Sequence, residues 1–340
     1  MRLRVVVLGG TRFIGRRIVD ELVDHGHDVL VVHRGNSHPP DLRDDVPHLH
    51  ADRLDLAPVA DDLRRFDPEA VLDCAALGAT DADAVLGAFP DGADLRLVVL
   101  SSMDTYRAYG SLHARTVTDA VPLDETSPVR PERYPYRGQM PGMDDYEKLD
   151  VEERWLARGG TVCRLPMVFG EHDYQRREEF VLRRVRAGRR EIPMGAGTVL
   201  LTFGYVGDVA RGVRLAIESD PSLVGGEVFN FGERRSPTMA LRARRILDAA
   251  GAGDTVELVP VPDEALPPDL GILGSIAQPL LVSSDKARRM LGWEESDPDD
   301  ALRRSVEWHL ANPPGDQAGA GDFSADDAAL ERRVIAAATA

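Results

Sequence analysis

A glycine-rich turn near the start of the chain has the residue types and spacing of an anion-binding site. Gly9 and Gly15 lie between an apolar run at residues 5–8 and a segment whose apolar residues recur at helical spacing. At such a turn, unpaired backbone N–H groups and the helix dipole favour a pyrophosphate. Gly9 would permit the tight turn, and Gly15 would let the helix approach the strand. Because the turn follows the first strand of a βαβ series, we predict dinucleotide binding rather than a purely structural turn.

The end of the second apolar run, residues 29–32, bears on which dinucleotide binds. An NAD site usually places a carboxylate there, against the ribose hydroxyls, but this chain has His33 and Arg34. Arg34, together with Arg12 at the middle glycine position of the fingerprint, could face a 2′-phosphate. We therefore predict NADP, with NAD as the alternative. In a second interpretation, Arg34 is solvated and Arg12 forms a salt bridge on the surface.

The elements that would position these residues alternate between strands and helices. Further strands are predicted near 48–51, 70–76 and 95–100, with helical patterns near 59–65 and 81–89. Continuous apolar strands are typical of a parallel sheet that is covered by helices on both faces. The pattern therefore predicts an α/β fold with a doubly wound parallel sheet.

The second half of the chain is less regular and richer in glycine and proline. A helix is predicted over 146–156 and a strand over 161–165, followed by helices near 178–187, 206–218, 239–250 and 285–291. We expect a dinucleotide-binding domain mainly over residues 1–168 and a smaller, interleaved substrate lobe over 169–312. Residues 313–340 would form a linker and a terminal helix with Ser324 as its N-cap.

Composition excludes several classes of protein. The 340 residues are 43% hydrophobic and 29% charged, which is typical of a folded globular protein. The net charge of −16 repels phosphate backbones, so nucleic-acid binding is not expected. No apolar run approaches the ~20 residues of a membrane span. Cys74 and Cys163 lie in apolar runs without metal-ligand spacing, so we predict no metal site and a cytoplasmic location.

Seven short motifs follow one another along the chain: GGTRFIG at 9–15, DR at 52–53, CAA at 74–76, SS at 101–102, RLP at 164–166, SDKA at 284–287 and LGW at 291–293. Taken in this order, they resemble the extended short-chain dehydrogenase/reductase superfamily, which includes NAD-dependent epimerases and dehydratases. The resemblance covers nearly the whole chain. The form of the glycine turn and the tail FSADD at 323–327 are similar to the atypical branch that includes chloroplast stem-loop-binding proteins.

The resemblance implies a cofactor site built from the glycine turn and the ends of successive strands. It also implies a homodimer formed through the helices near 81–89 and 146–158. The predicted cofactor-binding residues are Gly9, Thr11, Arg12, Phe13, Ile14, Gly15, His33, Arg34, Asp52, Arg53, Ala75, Ala76, Lys148 and Pro166.

A catalytic Ser, Tyr and Lys are further implied, with tyrosine four residues before lysine on one helix face. In that arrangement the lysine binds the nicotinamide ribose and lowers the tyrosine pKa, and the tyrosine exchanges a proton with substrate. Ser102 fits the serine, with capping of the strand end as the alternative, and Lys148 fits the lysine. However, the residue four positions before Lys148 is Asp144, and Tyr146 would lie ~200° away from Lys148 on a regular helix. Three alternatives follow: Tyr146 serves because the helix begins after it, Asp144 is the base, or proton transfer has been lost.

We therefore predict an NAD(P)-dependent oxidoreductase, epimerase or dehydratase that acts on a hydroxyl or carbonyl of a nucleotide-sugar-like or related polar metabolite. The alternatives are an RNA-binding protein on the same scaffold, which the net charge disfavours, and a cofactor-binding regulator without turnover. Candidates for substrate contact, by position alone, are Met103, Asp104, Phe169, Gly170, residues 200–205, and the arginines Arg176, Arg177 and Arg189.

Overall fold

The computed structural model describes residues 1–36, 39, 41–89, 95–314 and 323–339. These residues contain eleven strands and twelve α-helices. The strands are β1 (Arg4–Leu8), β2 (Asp28–His33), β3 (His48–His50), β4 (Ala70–Asp73), β5 (Arg96–Ser102), β6 (Thr161–Leu165), β7 (Met167–Phe169), β8 (Glu191–Met194), β9 (Phe203–Tyr205), β10 (Val228–Asn230) and β11 (Glu257–Pro260). The helices are α1 (Phe13–Asp24), α2 (Ala60–Phe66), α3 (Ala79–Ala88), α4 (Arg107–Ala114), α5 (Lys148–Ala157), α6 (Glu179–Arg186), α7 (Val206–Glu218), α8 (Pro221–Val224), α9 (Met239–Ala249), α10 (Asp285–Leu291), α11 (Pro298–Ala311) and α12 (Ala325–Thr339).

Seven of the strands form a parallel sheet in the order β10-β6-β5-β4-β1-β2-β3. The chain enters at β1, adds β2 and β3 on one side, and then places β4, β5, β6 and β10 on the other. The order reverses between β1 and β4, and ligands of open α/β sheets bind at the carboxyl ends of the strands at such a point. The prediction of a doubly wound parallel sheet is confirmed.

Strand β1 shows why the sheet is buried on both faces. Its alternating side chains enter two separate cores: Val5 and Val7 pack on the α1 and α7 side, and Val6 and Leu8 pack on the α2, α3 and α5 side. All four side chains are buried. Burying a side chain of this size contributes about 1.5 to 3 kcal/mol. The continuous apolar run in the sequence therefore has a direct structural cause.

The C-terminal half is interleaved with this sheet. It contains two small parallel pairs, β8 with β11 and β7 with β9, but β10 returns to the edge of the main sheet beside β6. Helix α7 packs across α1, where His27 Nε2 and Glu218 Oε1 are 2.9 Å apart. Arg214 Nε also donates to Glu21 Oε1 at 3.0 Å. The predicted return of later segments to the sheet is therefore observed, whereas the domain limits stay a prediction.

Helix α5 begins at Lys148, two residues later than the predicted start at Tyr146. Glu147 precedes it in an extended conformation, and its Oε1 atom accepts a hydrogen bond from Leu149 N at 3.0 Å. Tyr146 lies in the preceding turn, where its N–H bonds to the Met143 carbonyl. The late helix start that the sequence left open is therefore the one observed.

Helices α4, α8 and α11 were not predicted. The buried face of α11 includes Ser305 and His309 beside its apolar residues, and these polar side chains interrupt the periodicity that indicates a helix. The N-cap signal was nevertheless present, because Asp297 accepts hydrogen bonds from the amides of Asp299 and Asp300.

The predicted terminal helix is confirmed as α12. Ser324 Oγ accepts a hydrogen bond from Asp327 N at 3.0 Å, as expected of an N-cap residue. Most of the predicted linker at 313–321 lies outside the described residues. In the part of the chain that is described, no helix is both long and apolar enough to cross a membrane.

Candidate active site

The glycine turn after β1 has a backbone that needs its glycines. Gly9 has a φ of +85°, and a Cβ atom there would lie 2.9 Å from the Cβ of Ala75, which follows β4. A Cβ on Gly15 would overlap the carbonyl oxygen of Gly9. The two glycines therefore let α1 begin directly beside the ends of β1 and β4, as the sequence predicted.

A cavity of about 590 Å³ lies in front of this turn, at the point where the strand order reverses. Tyr174 also lines it, a residue that the sequence analysis did not identify. All the predicted cofactor-binding residues except Ala76, Lys148 and Pro166 line this one cavity: Gly9, Thr11, Arg12, Phe13, Ile14, Gly15, His33, Arg34, Asp52, Arg53 and Ala75.

Arg12 and Arg34 are both exposed at the cavity. In the described part of the chain neither guanidinium has a carboxylate partner, so the surface salt bridge considered for Arg12 is not formed. Instead, the Arg12 guanidinium lies over the ring of Tyr174, 5.2 Å from its centroid. Two cationic groups thus remain available to an anion in the cavity.

His33, at the end of β2, has its ring nitrogens directed at neighbouring protein groups. Its Nδ1 atom accepts a hydrogen bond from Gly35 N at 3.2 Å. Its Nε2 atom lies 3.1 Å from His48 Nδ1. Because Nδ1 accepts, the proton of a neutral His33 resides on Nε2 and is donated to His48. His33 therefore shapes the turn that presents Arg34.

Asp52 and Arg53 also make protein contacts at the cavity. Asp52 Oδ1 accepts a hydrogen bond from Leu54 N at 3.0 Å. Arg53 Nη2 donates to Oδ1 of the buried Asp73 at 2.8 Å, and the same oxygen accepts from Ala75 N at 2.9 Å. The Arg53–Asp73 pair therefore holds the segment after β4 in place.

Lys148 joins the ends of two strands. Its buried ammonium donates to the carbonyl of Ala76 at 2.5 Å and to the carbonyl of Leu100 at 3.0 Å. Burial lowers the pKa of Lys148, and the negative charges of Asp73 and Asp104 oppose this effect. Two of its three donors are used in these bonds. Pro166, on the neighbouring β6–β7 connection, is buried against Gly204.

A buried carboxylate, Asp104, lies at the end of β5 and is the centre of a cluster of tyrosines. Its Oδ2 atom accepts hydrogen bonds from Tyr146 at 2.6 Å and Tyr136 at 3.1 Å. Its Oδ1 atom is buried and has no partner among the described residues. Ser102 Oγ accepts from Asp104 N at 3.2 Å, which is the capping contact considered above. Asp104 was expected only to contact substrate, and Tyr136 was missed.

The electrostatics of this cluster differ from the expected arrangement. Burial raises the pKa of Asp104, while hydrogen bonds from Tyr146 and the charge of Arg130 act in the opposite direction. Burial and the charge of Asp104 hold the pKa of Tyr146 well above its usual value. The Lys148 ammonium lies 6.0 Å from the Tyr146 ring centroid. The expected lowering of the Tyr146 pKa by Lys148 is therefore not what the structure shows.

Asp144 lies apart from this cluster. It is exposed, and its Oδ1 atom accepts a hydrogen bond from Gly138 N at 2.9 Å. It lines a second cavity of about 400 Å³ together with Tyr146. Leu54 and Asp81 line both cavities, so the two are adjacent.

The other residues considered for substrate contact are mostly structural. Phe169 is buried in the core beside Phe203. Arg176 pairs with Glu179, and Arg189 lies 3.6 Å from Glu331. Arg177 has no ion pair within the described chain, and it is therefore the one of the three arginines that remains available to an anionic ligand. Within the described part of the chain, no cluster of His, Cys, Asp and Glu side chains is placed to hold a metal ion.

The parallel sheet, the glycine turn and the cavity at the strand ends define a dinucleotide-binding α/β protein. Residues 5–232 match the model of the NAD dependent epimerase/dehydratase family. This match spans more than half of the chain, and the protein belongs to that family.

Known proteins resemble the chain over most of its length. The chloroplast stem-loop binding protein of 41 kDa b from Arabidopsis thaliana is 24% identical, with 98% of this chain and 85% of the relative covered. A dTDP-glucose 4,6-dehydratase from Bacillus anthracis, solved with NAD, has a TM-score of 0.69 at 15% identity and covers 91% of this chain and 97% of its own. A UDP-glucose 4-epimerase from Thermotoga maritima, solved with UDP-glucose, has a TM-score of 0.68 at 20% identity. The match covers 91% of this chain and 99% of the epimerase chain. These structural similarities establish the fold.

Proposed function

We propose that this protein binds a nicotinamide dinucleotide in the 590 Å³ cavity and catalyses a redox or epimerisation reaction. The substrate would be a nucleotide-sugar-like or related polar metabolite that reacts at a hydroxyl or carbonyl. The observation that supports this most strongly is the position of the cavity: the Gly9–Gly15 turn at the start of α1 lines it, and it lies where the strand order reverses.

We propose NADP as the preferred cofactor. Arg34 and Arg12 are exposed at the cavity without a carboxylate partner in the described chain, and β2 ends in His33 where NAD sites have an acidic residue. A 2′-phosphate near Arg34 would accept charge-assisted hydrogen bonds. The Bacillus anthracis relative was solved with NAD, so the experiment must compare both cofactors.

Proton transfer is assigned to Tyr146 and Asp104. The Gly9–Gly15 turn and Arg34 would hold the cofactor, which would supply hydride transfer to and from the substrate carbon. As the substrate hydroxyl becomes a carbonyl, its proton passes to the Tyr146 oxygen while Tyr146 gives its own proton to Asp104 Oδ2, 2.6 Å away. Ser102 and Lys148 hold the ends of β4 and β5 around this pair and would position cofactor and substrate.

Isothermal titration with NADPH and NADH tests the cofactor site, and a panel of nucleotide sugars tests turnover. Cofactor binding with turnover supports the proposal. Cofactor binding without turnover of any substrate would favour the non-catalytic regulator, and absence of cofactor binding would overturn the assignment.

Stem-loop binding is the second candidate function, favoured by the name of the Arabidopsis relative. The net charge of −16 opposes it. A filter-binding assay with a structured RNA, repeated at several salt concentrations, distinguishes it from the enzymatic proposal.

We continue to expect a cytoplasmic protein.

A further inference from the structure

Three tyrosine hydroxyls and one carboxylate form a continuous hydrogen-bonded chain that includes the proposed catalytic pair, Tyr146 and Asp104. Tyr109 Oη lies 2.8 Å from Tyr136 Oη, and Tyr136 donates to Asp104 Oδ2 at 3.1 Å. Tyr146 donates to the same oxygen at 2.6 Å. The residues come from α4, the segment before α5, and the end of β5, so tertiary folding alone brings them together.

The chain has a defined direction. A tyrosine hydroxyl has a single proton, and that of Tyr136 is donated to Asp104. The 2.8 Å bond between the two hydroxyls is therefore donated by Tyr109 and accepted by Tyr136. Every proton in this arrangement is directed towards Asp104.

Asp104 is more buried than Tyr136 and Tyr109. Asp104 is only 4% exposed, whereas Tyr136 and Tyr109 are half-buried. The carboxylate is therefore shielded from bulk water, whereas the side chains of Tyr136 and Tyr109 are each partly exposed. A buried acid that must change protonation during a reaction needs a proton path to water.

We propose that Tyr109 and Tyr136 are a proton relay that exchanges protons between solvent and the Asp104–Tyr146 pair; this rests on the function proposed above. In the protonating direction Tyr136 transfers its proton to Asp104 Oδ2 and takes one from Tyr109, which takes one from water or a buffer acid. One O–H bond breaks and one forms at each tyrosine, and the net result is one proton moved to Asp104. The reverse sequence releases it.

Several charged or titratable groups surround Asp104 and set its proton affinity. Tyr146 and Lys148 approach from the start of α5, and Arg130 and Tyr136 from the preceding segment. Arg130 Nε also donates to the backbone carbonyl of Asp104 at 3.1 Å. The cations favour the ionised carboxylate, and burial favours the neutral acid. Burial has the larger effect, so the pKa of Asp104 is raised.

Phenylalanine variants separate the relay from simple packing. The Tyr136 and Tyr146 rings are 5.0 Å apart, and Tyr136→Phe keeps this ring contact while it removes the hydroxyl. Tyr109→Phe interrupts the relay one step further from Asp104. Tyr134→Phe is the matched control, because Tyr134 Oη donates to Asp150 at 3.3 Å in the same segment but is not part of the chain.

The test is an infrared pH-jump measurement on the full-length protein, which needs no substrate. The carboxyl band that is lost in Asp104→Asn is followed after a rapid drop in pH. We expect Asp104 to protonate at least ~10-fold more slowly in Tyr136→Phe and Tyr109→Phe, with Tyr134→Phe unchanged. Equal rates in all variants, or an equal slowing in Tyr134→Phe, would overturn the relay.

Turnover supplies a second measurement. If a substrate is found, the turnover lost in Tyr136→Phe should be restored by high concentrations of a small buffer acid such as imidazolium, because the buffer replaces the missing hydroxyl. Loss of turnover without any rescue contradicts the relay. If no substrate is turned over, the enzymatic proposal fails, whereas the pH-jump result still decides the relay.

Discussion

The Tyr146 hydroxyl lies 2.6 Å from Asp104 Oδ2, although 42 positions separate the two residues in the chain. Tyr146 comes from the turn before α5 and Asp104 from the turn after β5, and both lie at the carboxyl edge of the sheet. The contact places a proton acceptor beside the only tyrosine near Lys148 in sequence. In the mechanism proposed above, this contact would let Tyr146 transfer a proton despite its unusual spacing from Lys148.

Replacing Asp104 or Tyr146 should separate chemistry from cofactor binding. We expect Asp104→Asn and Tyr146→Phe to lower kcat by at least ~100-fold, the usual contribution of a positioned acid or base. NADPH affinity, measured by calorimetry, should stay within about twofold of the wild-type value.

Asp144→Asn is the control for this comparison. Asparagine keeps an acceptor for the Gly138 amide, so the fold should be retained. We expect turnover within about twofold of the wild-type value. If Asp144→Asn abolishes turnover while Asp104→Asn is mild, Asp144 is the base.

Arg34→Ala should weaken NADPH binding selectively. Loss of a hydrogen bond to a charged group costs ~1.5 to 3 kcal/mol, which corresponds to about 10-fold to 150-fold in Kd. Arg64→Ala on α2, whose partner is the exposed Asp61, is the control. An equal loss of NADPH and NADH affinity would disprove the 2′-phosphate assignment.

Gly15→Ala should destabilise the protein and abolish cofactor binding. The added Cβ would overlap the Gly9 carbonyl oxygen, and overpacking of this kind costs ~1 to 3 kcal/mol. Gly87→Ala in α3 has open space around its Cβ and should instead stabilise by about 0.4 to 1 kcal/mol. Urea denaturation of both variants measures the difference, and equal stability of the two would contradict the close packing at the turn.

Stability should fall as pH rises from about 5 to 8 because of Glu178. Burial raises the pKa of this glutamic acid to about 7, with Arg242 opposing. Between its usual pKa and 7 the folded protein keeps a proton that the unfolded chain has released, so unfolding becomes easier as pH rises. The loss is on the order of 3 kcal/mol. In calorimetric scans Glu178→Gln should lack this part of the slope, and an unchanged slope would refute the assignment.

The homodimer remains a proposal for α3 and α5. These helices lie side by side on one face of the sheet, where Arg154 Nε donates to Asp83 Oδ1 at 2.7 Å. We expect light scattering at micromolar concentration to give twice the mass of the 37.2 kDa chain. A mass that corresponds to a single chain would refute the proposed homodimer.

Local sequence patterns predicted the parts of the fold that depend on neighbouring residues. The β1 run, the Gly9–Gly15 turn and the Ser324 cap each involve residues within a few positions, and all are observed. The tyrosine cluster could not be predicted in this way. Tyr136 is 32 positions from Asp104, in a segment without helical or strand periodicity, and only tertiary packing brings them together. The available signal was Ser102 at the end of β5 with Asp104 two residues later.

The return of β10 and α7 to the main sheet limits how this protein could be divided. A fragment ending near residue 168 would contain the glycine turn and β1 to β6, yet it would leave β6 as an open sheet edge and uncover the face of α1 that α7 buries. Open strand edges and exposed apolar faces promote aggregation. We therefore expect that residues 1–168 alone do not fold independently, and that gene fusions or splits should leave residues 1–230 intact.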